Sequence, residues 1–387
     1  MLRKIFKKRH KKIGEGSLNS MVFKHIMHDS LGASSVIFVM FVILISILGS
    51  LITPDFTPNA NRQILEVSLQ KPGTKVLMLK IPREIEVKKQ SFFHKAMFGQ
   101  DDSYNFVPIT SYKLNEDGAT VSLFKGDSLF NTADYTWKEL LPSANANEDF
   151  AKHEQYFKTN CVYEQRYILG TDRYGRDVLS QLILGSRVSL SVGLISVLIA
   201  IVIGVLLGSI AGFYRGWIDE LIVWFINVVW SIPSLLLVIA ISFALGKGFW
   251  QVFIAIGLTM WVDVARVVRG QVMSLREKEF VEAGRALGFS NARIIVKHIL
   301  PNVTGTVAVI AASNFASAIL IESGLSFLGL GVQPPVPSWG TMIKENYGYI
   351  ILDYAYLAIT PGIAIMLLVL AFMLIGNSLR DALDVKN

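Results

Sequence analysis

The chain has 387 residues, 52% of them hydrophobic and only 17% charged, against roughly 25% charged in ordinary globular proteins. With a mean hydropathy of +0.46, that excess excludes a small water-soluble domain and asks for a lipid solvent. The net charge of +7 admits a nucleic-acid partner, but its placement follows the positive-inside bias instead, and the single cysteine, Cys161, excludes an internal disulfide framework or a multi-cysteine metal site.

Residues 1–28 carry Arg3, Lys4, Lys7, Lys8, Arg9, Lys11, Lys12 and Lys24 against Glu15 alone. This basic end abuts a charge-free run between Asp29 and Asp55. It therefore reads as a cytoplasmic N-terminus (1–32) before an uncleaved first transmembrane helix (33–54), rather than a nucleic-acid arm. A cleaved signal peptide fits poorly, because the apolar run is too long and no small-x-small site follows it. A helix needs about 20 apolar residues to cross the hydrocarbon layer. On that count the chain has six spans, near 33–53, 188–212, 219–245, 248–268, 303–325 and 354–379, the fourth weakened by Asp263 and Arg266. Both termini then lie in the cytoplasm. The inner loop 269–302 holds Arg269, Arg276, Lys278, Arg285, Arg293 and Lys297, as an inner loop should.

Residues 55–167 are a different material, charged throughout and without a spanning run. Strands are predicted over 76–81, 84–87 and 119–124, with a turn at Asn115-Glu116-Asp117-Gly118. This is an inserted extracytoplasmic, β-rich domain that either caps the outer face or docks a partner. No paired histidine or metal-ligand spacing occurs in it, and Asp101-Asp102 reads as a solvated turn.

The remaining five spans form the core, 168–387. Ser196, Ala200, Gly204, Gly208 and Gly212 recur every four residues in the second span, a small-residue face that lets helix backbones approach closely. Pro233 and Pro361-Gly362 should bend the third and sixth spans. At lipid depth Asn227, Asp263, Ser313, Asn314, Ser317 and Glu322 are the polar residues. Such groups face the bundle interior or an aqueous path. Ser313, Asn314 and Ser317 are the pathway candidates, with one interhelical hydrogen bond as the competing role for Asn314. Glu322 is read as a cap for the Ser-Gly turn after it. No acidic or histidine series crosses the helices, which weighs against a proton-driven secondary transporter.

The inner loop carries the most specific pattern, from Arg276 to Asn302. Phe280, Ala283, Gly284 and Leu287 fall at i, i+3, i+4 and i+7, on one face of a short helix. Gly288 suits its left-handed C-cap, and Ser290 caps a second helix that stops before Pro301. An apolar face exposed outside the membrane calls for a partner groove.

Glu282-Ala283-Gly284, then Gly288, then Leu300-Pro301 resembles the EAA loop of ABC importer permeases. The third position is Gly284 where alanine is usual, and His298 stands before Ile299-Leu300-Pro301, as in the peptide/nickel branch. The stretches 169–180 and 322–340 resemble the same branch, and the likeness covers roughly 30–55 and 168–385. It implies an all-α polytopic fold, a six-helix permease bundle of the C-type subunit of an oligopeptide or dipeptide importer. Residues 56–166 look like an insertion relative to shorter members. Trp224 and Asn227 stand where many members have Arg and Asp. The resemblance further implies a homologous second permease, an extracytoplasmic peptide-binding protein, and two cytoplasmic ATPases that hold ATP and Mg and bind the coupling loop, 269–302. Phe280, Glu282, Ala283, Gly284, Leu287 and Gly288 would make that contact. This chain has no Gly-x-x-x-x-Gly-Lys-Ser/Thr loop, so it is expected to be a transport subunit of a bacterial cell membrane, not an enzyme, with no cofactor of its own and no nucleic-acid partner. Nickel chelates or opines are the alternative cargo.

Overall fold

The computed structural model describes residues 26–83, 90–124, 132–141, 149–246 and 248–384. Five helices in it are long and apolar enough to cross a membrane. They are α1 (Ser30–Ile52), α5 (Val178–Tyr214), α8 (Phe249–Arg276), α10 (Asn291–Phe327) and α12 (Tyr356–Asp384). A sixth span would be the pair α6 (Gly216–Trp230) and α7 (Ser234–Leu245), bent by 93°. The predicted third span, 219–245, is thus broken rather than merely bent. Pro233, at φ −53° and ψ 125°, has no N–H to continue the ladder, and a proline disfavours helical dihedrals in the residue before it.

Asp29 caps α1 through Leu31 and Gly32 N–H, and Ser378 Oγ, near the end of α12, donates to the same carboxylate at 2.8 Å. α5 begins ten residues before the expected 188, capped by Asp177, which accepts from Ser180 N–H at 2.6 Å. The small-residue face of α5 lies against α8, as its spacing implies. Ser196 Oγ donates to Phe253 O at 2.9 Å, and Ala200 is fully buried. A Cβ at Gly204, Gly208 or Gly212 would come within 2.5 Å of Val264 Cβ, 2.5 Å of Ala265 O and 2.6 Å of Arg269 O. No side chain fits there, so the two backbones pack as closely as this spacing allows.

Between α1 and α5 lies a β-rich unit. Its strands β1 (Thr74–Pro82), β2 (Tyr104–Asn115), β3 (Gly118–Leu123), β4 (Thr132–Thr136) and β5 (Val162–Tyr167) form one antiparallel sheet, ordered β4-β3-β2-β1-β5. The predicted strands 76–81 and 119–124 are β1 and β3, and the predicted turn joins β2 to β3; the strand expected over 84–87 lies outside the described residues. Leu79, Ile109 and Val121 point to one face and are buried with Trp137, Leu140 and Phe157. Gly118 is required by a close approach, since a Cβ would meet Tyr135 O at 2.0 Å. Three short helices complete the unit: α2 (Phe92–Phe98), between β1 and β2, and α3 (Trp137–Leu140) and α4 (Phe150–Tyr156), before β5. Cys161 is buried, which pushes its thiol up to about 11 and leaves it a neutral, weak donor to Leu140 O.

Asp102 is not solvated. It accepts both Arg62 Nε and Nη2 at 2.6 Å and is 5% exposed, while the Arg62 guanidinium lies 4.2 Å from the Phe106 ring. The fork geometry of Arg62 matches a carboxylate, and this pairing offsets the cost of burying both charges.

Candidate functional site

After α8 the chain forms α9 (Glu279–Ala286). Glu279 and Glu282 sit in its first turn and Arg285 in its last, both favourable to the helix dipole. Its end is a Schellman turn. Gly288, at φ +73°, donates to Arg285 O at 2.9 Å, and Phe289 N–H donates to Gly284 O at 3.0 Å. Ser290 Oγ then accepts from Arg293 N–H at 3.4 Å and opens α10.

The second helix does not stop before Pro301. Ile295–Ile299 forms a π turn, closed by Leu300 N–H donating to Ile295 O, and the helix continues to Phe327. The wider turn accommodates the missing N–H of Pro301, so the break expected from that residue becomes a bulge in a continuous helix.

The expected apolar face is divided between two environments. Val281 is fully buried and Gly284 is buried beside it. Phe280, Ala283 and Leu287 are exposed, Leu287 by 71%, as are Glu282 and Gly288. Val281 packs in one cluster with Phe213 of α5, Val272 of α8, and Ile294 and Ile299 of α10. Around it, the Phe213 ring has the Arg276 and Arg285 guanidiniums at 5.8 and 5.7 Å. Arg215 pairs with Glu277 at 2.8 Å. The Phe289 ring has Arg293 at 3.9 Å and is stacked on His298. Sequence periodicity did not single out Val281 or Phe213; the signal was Val281 sharing the Gly284 side, one residue off the stripe. α9 is therefore held on one side by the ends of three spans and open on the other, where Phe280, Ala283 and Leu287 present apolar surface flanked by Glu282.

The pathway candidates do not converge on one environment. Asn314 is buried, its Nδ2 without a hydrogen-bond partner among the described residues, whereas Ser313 is exposed and Ser317 half-buried. Glu322 does not cap a backbone turn. It is fully buried and accepts Ser326 Oγ at 2.6 Å, and Ser326 in turn faces Ser338 Oγ at 3.3 Å.

At the other end of the bundle, residues 169–180 form a polar staple. Thr171 Oγ accepts Gln70 N–H at 2.8 Å and donates to Val67 O. Asp172 accepts from Arg176 Nε at 2.6 Å and Gln181 Nε2 at 3.1 Å, and Arg176 Nη2 reaches Glu345 at 2.6 Å. Gly175, at φ +72°, leaves no room for a Cβ, which would meet Ile64 O at 1.8 Å. Burial disfavours the Arg176 charge, yet Asp172 and Glu345 more than restore it, raising its pKa. Burial pushes the Asp177 carboxyl above the usual carboxylate range, against the pull of its Ser180 bonds. Among the described residues no group of three His, Cys, Asp or Glu side chains is placed to hold a metal.

Residues 204–386 match the family model described as binding-protein-dependent transport system inner membrane component. The chain is 37% identical over 250 residues to a glutathione transport system permease protein of Pectobacterium atrosepticum, covering 65% of this chain and 81% of that one. It is 44% identical over 217 residues to a dipeptide transport system permease protein of Alkalihalophilus pseudofirmus, covering 56% and 71%. Among solved structures, a chain of an inward-facing methionine ABC transporter aligns at a TM-score of 0.45 and 18% identity, over 54% of this chain and 98% of that one. The protein thus belongs to the binding-protein-dependent inner membrane components, as a multi-pass permease subunit of an ABC importer.

Proposed function

We propose that this permease serves an ATP-driven importer of short peptides and takes the force of ATP hydrolysis through α9. Its membrane pathway is shared with a homologous second permease. Two cytoplasmic ATPases, which carry ATP and Mg, dock on Phe280, Ala283 and Leu287, with Glu282 pairing to a basic or amide group at the rim. Both termini are cytoplasmic, and the β-rich unit stands outside, facing the peptide-binding protein. Ser313, Asn314 and Ser317 border the pathway where the second permease closes it. The relatives' dipeptide and glutathione cargoes support a short peptide as substrate.

The observation that carries this reading is the two-sided environment of α9: Val281 anchors it to three spans, while Leu287 is 71% exposed beyond them. A partner that grips the exposed side moves span ends directly, which is coupling through a packed two-state element. Glu282→Lys in the purified, reconstituted complex is the test. The variant should insert normally but bind the ATPases more weakly, or hydrolyse ATP without matching dipeptide uptake. Parental ATPase binding, peptide-stimulated hydrolysis and uptake would remove the coupling role.

A further inference from the structure

The helix α2 is remote in sequence from α9, and its surface is anomalous for a water-exposed segment. Of its seven residues Phe92, Phe93, Met97 and Phe98 are exposed by 67%, 81%, 56% and 62%. Only Ala96 is buried. Four large exposed apolar side chains on one seven-residue helix concentrate far more apolar surface than the scattered exposure that surfaces tolerate.

Its position says what covers that patch. Arg187 of α5 donates through Nε to Ser46 O at 2.7 Å and through Nη2 to Ile47 O at 3.3 Å, both on α1. The same guanidinium donates to Met97 O at 2.6 Å and Ala96 O at 2.9 Å. One side chain thus ties the C-terminal end of α2 to α1, about 8 Å before α1 ends at Ile52. Along α5, Arg187 lies about 40 Å from Tyr214 at 1.5 Å per residue. A bilayer with its headgroups is about 40–45 Å thick. With Tyr214 at one face, Arg187 and α2 therefore fall in the headgroup layer of the other. α1 is exposed there too, at Leu44, Ile47 and Ile52, by 54%, 53% and 53%. The apolar patch of α2 continues the lipid-facing surface of a transmembrane helix.

We propose that α2 is a membrane-interface anchor: Phe92, Phe93, Met97 and Phe98 enter the boundary between acyl chains and headgroups beside the end of α1. Lys95, whose ammonium lies 5.4 Å from the Phe56 ring, sits at the level of the lipid phosphates. Aromatic side chains and a lysine with an apolar stem are the residues that settle at the boundary between acyl chains and headgroups. The anchor fixes the height of the β-rich unit over the bundle, independently of which cargo is carried.

The test uses the full chain, assembled with its partner subunits and reconstituted in vesicles of phosphatidylethanolamine and phosphatidylglycerol. In a Cys161→Ser background, nitroxide labels are placed at Phe93→Cys and separately at Met97→Cys. Leu44→Cys serves as the lipid reference and Glu116→Cys as the aqueous one. Collision with oxygen and with a water-soluble nickel chelate is then read by spin-label relaxation. Labels at 93 and 97 should resemble Leu44→Cys, with oxygen access exceeding nickel access several-fold. Nickel access like that of Glu116→Cys would overturn the anchor and leave α2 solvated. Loss of access to both reagents in the assembled complex would overturn it in favour of a protein surface.

Discussion

Leu287→Ser separates the two sides of α9. Leu287 is 71% exposed, so in the isolated permease the substitution removes almost no packing, and thermal unfolding should shift by no more than the ~0.5 kcal/mol typical of surface changes. In the complex the same side chain is to be buried by the ATPase. Full burial of a leucine side chain stabilises by about 1.5–3 kcal/mol, and the fraction still open here makes that about 1–2 kcal/mol. At 1.4 kcal/mol per factor of ten, association should weaken by roughly 5- to 30-fold. The assay is titration of purified ATPase subunits onto permease complex held in nanodiscs, with unfolding of the permease followed in parallel. Val281→Ser provides the contrast. It puts an unpartnered hydroxyl into a fully buried site and should destabilise the permease itself by about 2–4 kcal/mol. If Leu287→Ser leaves the dissociation constant unchanged while uptake continues, the open face of α9 is not the docking surface.

Other consequences can be checked independently. Gly288→Val places a β-branched residue at φ +73° with nothing within 4 Å of its Cβ, so its cost is purely conformational, about 1–2 kcal/mol; Gly288→Asn should be clearly milder, and uptake per ATP hydrolysed should fall only for the valine variant. Asp177 has a raised folded-state pKa, so its stabilising contribution is complete below its unfolded pKa, about 3.9, and is lost as pH rises through the folded value. Asp177→Asn keeps the cap without the charge, so its melting temperature relative to the parent should rise as pH climbs through that window and stay level or above at neutral pH; a neutral-pH loss of more than ~1 kcal/mol would show that the charge itself is needed. Cys161, with its thiol pushed up to about 11, should resist maleimide at pH 7 in the folded protein and react once the protein is denatured.

Spans were legible wherever charge was absent, because the cost of a charge in lipid is the dominant energy there. The start of α5 was not, because Ser180, Gln181, Ser186 and Arg187 break the apolar count. Those groups are satisfied by the fold, Ser180 by Asp177 and Arg187 by four carbonyls of α1 and α2. The glycine face of α5 was readable because its period of four has a direct steric meaning. β2 is not marked in the sequence as β1 and β3 are, and Pro108 is unusual in an interior strand; it sits opposite Met78, beside an irregular register, and its carbonyl accepts Phe124 N–H at 2.9 Å. For α9 the spacing located the helix but not its inward side. Positions 280, 283, 284 and 287 fit one stripe, and 281 and 284 fit another. Only the arrival of Phe213, Val272 and Ile294 decides between them.

The close packing of α5 on α8 also constrains how a push on α9 can travel. At Gly204, Gly208 and Gly212 there is no room for even a Cβ, which would meet Val264, Ala265 or Arg269 within 2.6 Å, so α5 and α8 lie closely packed along this face. Arg269 is further fixed by both oxygens of Asp219 on α6, at 2.5 and 2.6 Å. Densely packed elements move as bodies rather than deform continuously. A displacement of α9, fastened at Val281 to Phe213 and Val272, would therefore shift α5 and α8 together. The far end of α5 is joined through Asp172, Arg176 and Glu345 to α11 (Trp339–Asn346), and through Thr171 to Gln70 at the base of the β-rich unit. That unit must then tilt with α5 unless the staple opens. With α2 anchored as proposed, it would act as the pivot, because Arg187 holds it to the same helix whose other end, at Phe213, packs against α9.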